Sequence, residues 1–389
     1  MWSAGAGAQQ TRDTVRTVSP DTLIATLVLA DSTKRPNLRL CAGGDVTLGS
    51  NLDTVWATNA EANLWSRFAR RADPDSMLTP LRAFFGDADI ILVNVEGAIG
   101  AGPVEKKCGP KSTRCFAFRQ PTLAAAALRR LGSDHTQVVG NVANNHSRDA
   151  GLDGFAMTTA LLDSAGVHVT GADTLATLVV TARNDSVAFL GFYTSEDSPD
   201  ARDLAAVRRH VARAVSEFKI VIVTMHLGAE GAHAQRTHNA TETFVRGNRG
   251  NPVAFANAAL GGGATAVIGH GPHVLRAGEW KDSSLVLYSL GNLVNYGTFS
   301  LTEPMNHGVV ACMNINGPKS VSGVHIESTI QIAPGVVVAD WSGGSATLID
   351  SLSQLDFPRT GVAVAPDGTV GRRPAPSASP PRRNKKPPR

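Results

Sequence analysis

Continuous apolar runs rich in β-branched residues recur along the chain, and helix-like segments separate several of them. Runs without alternating polar residues are typical of strands that are covered on both faces. Strands that alternate with helices indicate βαβ units. The runs are LRLCAGG (38–44), DIILVNV (89–95), QVVGNVA (137–143), VAFLGFY (187–193), KIVIVTM (219–225), TAVIGH (265–270) and LVLYSLGN (285–292). The pattern therefore predicts an α/β fold with an interior sheet.

The segments between these runs predict four helices. PTLAAAALRRLG has Pro121 at a first helical position, and SPDARDLAAVRRHVARAVSEF begins with Ser198 and Pro199. The other two helices are predicted over 152–166 and in PVAFANAALG. After residue 296 only strand-like pieces follow. We expect an N-terminal extension (1–37), a main domain (38–296), an antiparallel strand extension without helices (297–358), and a disordered Pro/Arg-rich tail (359–389).

The basic charge of the chain is concentrated at its end. The formal net charge is +4, but residues 371–389 alone hold seven Lys or Arg and no acidic residue. The rest of the chain is slightly acidic, so the composition does not indicate a nucleic-acid partner. The tail could contact an anionic polymer or surface, or serve only solubility.

The cysteines and the N-terminus favour an extracytoplasmic location. Small residues near the start, Ala6 and Ala8, resemble a signal-peptidase site without the charged and apolar regions of a complete signal peptide. Cys108 and Cys115 bracket a polar loop and predict a disulfide, which requires an oxidising compartment. Cys41 and Cys312 lie in apolar runs and are predicted to be buried small hydrophobes.

Polar residues follow the carboxyl ends of six predicted strands, the edge at which open α/β sheets build their sites. They are Asp45; Asn94 and Glu96; Asn144, Asn145 and His146; His226; His270 and His273; and Asn292. Carboxylate, imidazole and amide groups suit Zn, Mn, Fe or Mg. We therefore predict a site for one or two divalent ions, in which a bound water would become a nucleophile near neutral pH.

Each of these residues also has an ordinary structural interpretation. A lone Asp45 after a strand would be a turn or cap residue, and Asn144-Asn145 is typical of turns. The coincidence on separate strands favours the joint site. Asp149 is predicted to orient His146 or to cap the next helix, and Arg148 to bind an anionic group or to be solvated.

The loop after His226 supplies weaker candidates. Glu230, His233 and His238 lie in HLGAEGAHAQRTH, where substrate-facing residues are expected. Asn94, Asn144 and Asn292 are further candidates for substrate contact. A dinucleotide-binding enzyme is a poor alternative, because GGDVTLG lacks the G-x-G-x-x-G fingerprint.

Read in order, several of these motifs resemble the CapA family of bacterial capsule-synthesis proteins, which is associated with poly-γ-glutamate. Its domain is similar to the calcineurin-like metallophosphoesterases. The motifs are GGDVTLG (43–49), NVEG (94–97), FAFRQP (116–121), NVANNHSRDAG (141–151), MHLGAEG (225–231), VIGHGPHVL (267–275) and YSLGNLV (288–294). The resemblance implies a four-layer α/β/β/α sandwich with metal ions at the strand ends.

The resemblance also implies roles for the matching residues. Asp45 corresponds to the first metal-binding aspartate and Glu96 to the bridging carboxylate. Asn145 corresponds to a metal ligand, and His146 to the residue that protonates the leaving group. The remaining imidazole ligands would be His226, His270 and His273.

The sequence departs from the phosphoesterase pattern at three positions. Thr47 stands where those enzymes have a histidine, so that one of two metal sites lacks a ligand. Leu227 replaces an aromatic residue, and Gly271 replaces a frequent histidine.

Together these features predict an exported CapA-like protein with a metal-dependent hydrolase site. It would cleave a phosphoester or a γ-glutamyl amide, with His146 as general acid. Its expected partners are an anionic polymer or a small phosphoester, and capsule-synthesis membrane proteins. The alternative is a non-catalytic factor that binds or exports the polymer on the same fold.

Overall fold

The protein is described by a computed structural model that covers residues 37–49, 54–69, 71, 73–100, 116–196, 199–296 and 300–374. The predicted Cys108–Cys115 pair, the N-terminal extension to residue 36 and the tail from residue 375 lie outside these residues. Among the described residues, none of the helices combines the length and the hydrophobicity that a membrane span requires.

Strands dominate the described residues. They are β1 (Leu38–Thr47), β2 (Ile90–Val95), β3 (Ala98–Ile99), β4 (Arg119–Gln120), β5 (Gln137–Asn141), β6 (Val167–Thr170), β7 (Thr177–Val180), β8 (Ser186–Tyr193), β9 (Val221–His226), β10 (Thr243–Phe244), β11 (Gly247–Asn248), β12 (Ala266–His270), β13 (Gly278–Lys281), β14 (Ser284–Leu287), β15 (Asn292–Asn295), β16 (His307–Gly317), β17 (Ser320–Ile332), β18 (Val336–Ala339), β19 (Val362–Val364) and β20 (Val370–Arg372).

The helices lie between these strands. They are α1 (Thr54–Phe68), α2 (Pro74–Leu78), α3 (Arg82–Phe85), α4 (Ala124–Arg129), α5 (Gly151–Ser164), α6 (Leu204–Glu217), α7 (Pro252–Gly262) and α8 (Gly344–Asp356), with a 3-10 turn at Thr79–Leu81. Helix α7 follows the sequence signals closely. Asn251 accepts a hydrogen bond from the Ala254 N–H as its N-cap, and Pro252 occupies the first turn.

Two large sheets form the centre of the molecule. The first sheet has the order β18-β17-β16-β1-β2-β5-β6, with β15 also paired to β1, and the second has the order β13-β14-β12-β9-β8-β7. In the first sheet β1, β2, β5, β6 and β15 run parallel to their neighbours within this group. In the second sheet β8, β9, β12 and β14 do the same. Both sheets therefore direct several carboxyl strand ends toward one edge.

Three apolar layers show how the sheets are stacked. One layer packs the first sheet, through Ile91 and Val93, against α1, α4 and α5. The middle layer joins the two sheets, with Leu40 and Leu92 on one side and Ile268 on the other. The third packs the second sheet against α6 and α7. This arrangement confirms the predicted four-layer α/β/β/α sandwich.

The run LVLYSLGN was predicted as one strand and is two. Its first part is β14 of the second sheet, and its last residue begins β15 of the first sheet. The chain crosses between the sheets over residues 288–291. Gly291 has a φ of +68° there, a backbone conformation that glycine adopts without a Cβ clash.

The region after residue 296 is partly as predicted. Strands β16, β17 and β18 extend the first sheet in an antiparallel manner. The expectation of an extension without helices is wrong, because α8 packs Ala346 and Ile349 into the middle layer. Residues 359–374, predicted as part of the disordered tail, include the β19–β20 hairpin.

Two helix starts also differ from their predictions. Helix α6 begins at Leu204, where the Asp203 carboxylate accepts a hydrogen bond from the Ala206 N–H, and not at Ser198-Pro199. Helix α4 begins at Ala124, after Pro121. In α6 a side-chain cap outweighs the proline signal, since the capping carboxylate satisfies a free N–H of the first turn.

Cys41 and Cys312 form a disulfide, which corrects their prediction as unpaired residues. Both are buried, as expected. They occupy directly opposite positions on the antiparallel strands β1 and β16. Because their positions are 271 residues apart in the chain, only the pairing of these two strands brings the sulfur atoms together.

Candidate metal centre

The strand register places polar residues of the first sheet side by side at its carboxyl edge. Asp45 at the end of β1 is in register with Asn94 of β2 on one side and Asn292 of β15 on the other. In the second sheet His226 of β9 is in register with His270 of β12 and Tyr193 of β8. The predicted edge is therefore formed by both sheets.

Three side chains from different parts of the chain converge into a group that could bind a metal ion. The group, called here the metal cluster, consists of Asp45, Glu96 and His273, whose potential ligand atoms lie within 4.8 Å of one another. His273 Nδ1 lies 3.2 Å from Asp45 Oδ2, and its Nε2 lies 3.5 Å from Glu96 Oε1. Asp45 and Glu96 are fully buried. Carboxylate and imidazole donors at this spacing suit a divalent cation.

The hydrogen bonding of Glu96 also fits a cation. Both of its carboxylate oxygens are buried and have no hydrogen-bond partner among the described residues. Leaving a buried carboxylate without partners is costly, and metal coordination is one of the ways in which proteins offset this cost. Thr47, which stands where the phosphoesterases have a histidine, donates its hydroxyl to the Glu96 carbonyl 3.1 Å away. It therefore holds the backbone at Glu96.

Asn94 connects Asp45 to His226. Its Nδ2 donates to Asp45 Oδ1 at 2.8 Å and lies 3.2 Å from His226 Nδ1. Its Oδ1 accepts hydrogen bonds from Asn141 and Asn144 at 2.8 and 3.2 Å, which fixes the orientation of the amide. In this network His226 Nδ1 is an acceptor, so its proton lies on Nε2, 3.8 Å from Glu96 Oε1. Coordination through His226 Nε2 would require the Asn94 amide to turn over.

The ring nitrogens of His270 both contact protein atoms. Its Nε2 lies 3.0 Å from the Gly43 carbonyl, and its Nδ1 lies 3.1 Å from the Thr224 hydroxyl. This residue therefore links β12 to β1 across the two sheets. Burial lowers the pKa of His270, which keeps the imidazole neutral for these two hydrogen bonds.

His273 lies in a strained turn. Its φ is +58°, an uncommon value for a residue other than glycine. Gly271 precedes it with a φ of +107°, and a Cβ at that position would lie 3.0 Å from the His226 ring. The glycine therefore allows the GHGPH turn to pass close to His226 while His273 reaches the metal cluster. Asn292 Oδ1, 3.0 Å from His273 Nδ1, also orients the ring.

The ionisable groups of the metal cluster shift one another's pKa values. Burial alone would raise the pKa of Asp45, but the hydrogen bond and charge of His273 lower it below its ordinary value. Burial, followed by the charges of Asp45 and Glu230, raises the pKa of Glu96 well above its usual range. Burial opposes the charged form of His273, but Glu96 and Asp45 outweigh it and raise its pKa well above the ordinary value. In the metal-free protein Asp45 and His273 therefore form an ion pair.

A second group, called here the dyad, consists of His146 and Asp149. His146 Nδ1 lies 2.6 Å from Asp149 Oδ2, which also accepts a hydrogen bond of 2.7 Å from the Phe118 backbone N–H. The Phe118 ring lies against the imidazole at a tilt of 33°, with ring centroids 4.1 Å apart. Asp149 therefore orients His146, which was one of its two predicted roles. Asn144 Oδ1 accepts the His146 N–H at 3.0 Å and fixes the backbone of this turn.

Other predicted residues surround these two groups. Asn145 Nδ2 lies 3.5 Å from Glu230 Oε1, and Glu230 in turn pairs with Arg249 at 2.6 Å. Glu230 Oε2 is 3.9 Å from His273 Nε2, so the loop after β9 reaches the metal cluster.

The weaker candidates lie elsewhere. Arg148 lies over the Phe155 ring, with its Cζ 4.5 Å from the centroid. His233 and His238 are exposed.

The sequence interpretation missed several residues of the site. Phe118 and Arg249 lie outside strands, and Asn141 and Tyr193 end strands that were recognised. Tyr193 contacts the His226 ring edge-on at 5.6 Å, and Arg249 lies 5.5 Å over the Tyr193 ring. The motif FAFRQP was the available signal for Phe118. No motif in the sequence indicated Arg249.

Comparison with known proteins identifies the family. The sequence profile described as bacterial capsule synthesis protein PGA_cap matches residues 39–296, which is more than half of the chain. The chain belongs to this capsule synthesis family. The match covers β1 to β15 and with them every residue of the metal cluster and the dyad.

Two curated relatives agree with the family assignment. Both are Mycobacterium tuberculosis proteins, from strains CDC 1551 / Oshkosh and ATCC 25618 / H37Rv, and both are described as polyglutamine synthesis accessory proteins. Each is 26% identical to this chain over 299 residues, which cover 65% of this chain and 73% of the relative.

A solved structure is also similar to the chain. It is a Staphylococcus aureus protein described as a 5'-nucleotidase in complex with α-ketoglutarate, with a TM-score of 0.44 and 11% sequence identity. The similarity covers 81% of this chain and spans 58% of that protein.

Proposed function

We propose that this member of the capsule synthesis family is a metal-dependent hydrolase of the phosphoesterase class. The observation that carries the proposal is a cavity of about 240 Å³ that has both His146 of the dyad and His273 of the metal cluster on its wall. A metal-binding group and a carboxylate-oriented imidazole on one cavity are the parts that metal-assisted hydrolysis needs.

The residues of the metal cluster would hold the cation. Asp45 and Glu96 supply carboxylate oxygens and His273 an imidazole nitrogen. His226, whose Nε2 lies 3.8 Å from Glu96 Oε1, would join them once the Asn94 amide has turned over, and Asn145 beside Glu230 is the further candidate ligand. When bound, the cation would polarise the substrate and lower the pKa of a water molecule to roughly 7. His270 would not bind the cation, because both of its ring nitrogens contact protein atoms. It would instead hold the two sheets together beside the cation. Zn, Mn, Fe and Mg all suit the donor set.

The dyad would supply the general acid. His146 Nδ1 faces Asp149 Oδ2, and in this proposal its Nε2 would hold the proton for the leaving group. Phe118 packs against the imidazole, with ring centroids 4.1 Å apart. The Phe118 N–H also holds the Asp149 carboxylate, so that the acid keeps one orientation through the reaction.

The setting proposed for this activity is capsule synthesis outside the cytoplasm. The family description and the names of the mycobacterial relatives support a role alongside an anionic polymer such as poly-γ-glutamate, together with capsule-synthesis membrane proteins. A small phosphoester, or a γ-glutamyl amide, would be the compound cleaved. The Cys41–Cys312 disulfide supports an oxidising compartment.

Metal content and turnover of the purified protein test the proposal. We expect stoichiometric divalent metal by elemental analysis, and hydrolysis of bis(4-nitrophenyl) phosphate or γ-glutamyl-4-nitroanilide that EDTA abolishes. His273→Ala should lose both metal and turnover, whereas His135→Ala, an exposed histidine, should keep both. Metal-free protein that retains poly-γ-glutamate without cleaving any substrate would instead support the non-catalytic binding factor.

A further inference from the structure

The cavity beside the metal cluster has a wall of large apolar side chains. Phe116, Phe118, Phe244 and Met305 all line it, and they are called here the aromatic wall. We propose that the aromatic wall is a subsite for an apolar, ring-bearing group of the substrate, next to the bond that is cleaved. This inference rests on the proposed function and names the class of substrate that the same site takes.

The exposure of the aromatic wall supports a binding role. Phe116 is 46% exposed and Phe244 is 38% exposed, although both belong to a residue type that is usually buried. Phe118 is buried and packs against His146 of the dyad, so the wall begins at the proposed general acid. Apolar surface that stays open at the mouth of a cavity gains free energy when a ligand covers it.

The hairpin that carries Phe244 has a strained turn. The hairpin of β10 and β11 turns through Val245 and Arg246, which have φ values of +47° and +66°. Such a turn normally uses Asn-Gly, and a β-branched residue at positive φ is an outlier. Strain of this kind persists where the surrounding structure holds it and is frequent at ligand sites. Here the strained turn directly follows Phe244.

The charge of the cavity disfavours a polyanionic chain. Among the described residues, the lining includes no Lys or Arg, and its carboxylate Glu230 already pairs with Arg249 at 2.6 Å. A side-chain carboxylate of a polymer would therefore find no Lys or Arg partner among these lining residues. The volume of about 240 Å³ suits a single ring, because pockets for drug-sized ligands occupy roughly 300–1,000 Å³. The substrate is therefore a compact ester or amide that carries a ring.

Binding of ligand pairs that differ only in a ring tests the inference. Phenylphosphonate and methylphosphonate share the group that the cation would bind, and we expect phenylphosphonate to bind the Mn²⁺-loaded protein at least about tenfold more tightly. Benzamide and acetamide form a neutral pair that needs no cation. We expect the same preference for the ring in the metal-free protein, measured by saturation in ligand-observed NMR.

Two variants connect the preference to the aromatic wall. Phe244→Ala and Phe116→Ala change exposed residues, and each should reduce the phenyl-to-methyl ratio about threefold or more. Trp65→Ala, which removes a 60% exposed aromatic residue on α1, is the matched control and should leave the ratio unchanged.

The outcomes separate this inference from the proposed function. A ratio near one in both pairs, or no saturable binding of any of the four ligands, would overturn the inference even if the protein hydrolyses phosphoesters. A ring preference that Phe244→Ala reduces, in a protein without metal or turnover, would support the aromatic wall and refute the hydrolase.

Discussion

His146 Nδ1 lies 2.6 Å from Asp149 Oδ2, and the two residues are only three positions apart in the chain. The short turn before α5 therefore builds the dyad locally. The cavity, in contrast, receives His273 from a turn more than a hundred residues later. Chemistry at this site depends on both the local turn and the meeting of the two sheets.

The dyad predicts a graded loss of turnover. His146→Ala should reduce kcat by about 10²–10⁴-fold, because it removes the group that protonates the leaving group. Asp149→Asn should cost less, about 10–100-fold, because the imidazole stays but loses its orienting carboxylate. Steady-state kinetics with metal analysis would check both. Unchanged kcat in His146→Ala, with His135→Ala as control, would contradict the assignment.

The buried carboxylate of Glu96 predicts that Glu96→Gln affects the metal-free and the metal-bound protein differently. Because burial raises the pKa of Glu96 and disfavours its charged form, Glu96→Gln, which removes that charge, should not lower the stability of the metal-free protein. The same change should remove the stabilisation by metal, about 2.7 kcal/mol at a concentration 100-fold above the Kd. Thermal unfolding with and without Mn²⁺ would measure both effects. Full stabilisation of the variant by Mn²⁺ would show that Glu96 is not a ligand.

Metal affinity should rise with pH. Despite its burial, the neighbouring Glu96 and Asp45 hold the pKa of His273 above its ordinary value, and burial raises the pKa of Glu96. A cation must displace these protons, so binding releases them and strengthens as pH rises. Calorimetry in two buffers with different ionisation enthalpies would count the protons. Binding without proton release would contradict this protonation pattern.

The raised pKa values of His273 and Glu96 also determine how the stability of the metal-free protein changes with pH. Groups whose pKa is raised on folding contribute stability that is fully present below their unfolded values, about 6.5 for His and 4.3 for Glu. This contribution is lost as the pH rises through the pKa values that the two groups have in the folded protein. Metal-free protein should therefore lose stability with rising pH in the range where metal binding grows stronger, as urea unfolding at several pH values would show.

The Cys41–Cys312 disulfide should contribute substantially to stability. It joins β1, which carries Asp45, to the antiparallel extension, and it closes a loop of 271 positions. Removal of a native disulfide typically costs about 2–5 kcal/mol. The double variant C41A/C312A should show this loss in urea unfolding under oxidising conditions. The variant C108A/C115A, compared in parallel, measures the other two cysteines, and equal losses in both would contradict a special role of the β1–β16 link.

Local signals in the sequence predicted much of the fold. Continuous apolar runs identified β1, β2, β5, β8, β9 and β12, because a strand covered on both faces needs apolar side chains at successive positions. Helix α8 was missed because its segment, GSATLIDSLSQLD, is rich in Ser, which has a lower helix propensity than Ala or Leu. The division of LVLYSLGN into two strands depends on which sheet each half pairs with, and periodicity does not record that choice.

For the site, the sequence by itself determined which chemical groups were available: carboxylates, imidazoles and amides at strand ends, with no cysteine among them. Only the tertiary structure decided which of them meet. Asp45, Glu96 and His273 converge because two parallel edges face each other, while His270, only three residues from His273, directs both ring nitrogens to protein atoms. Chain order sets the spacing of neighbours, but the packing of the two sheets sets the distance between atoms from different sheets, and coordination depends on that distance.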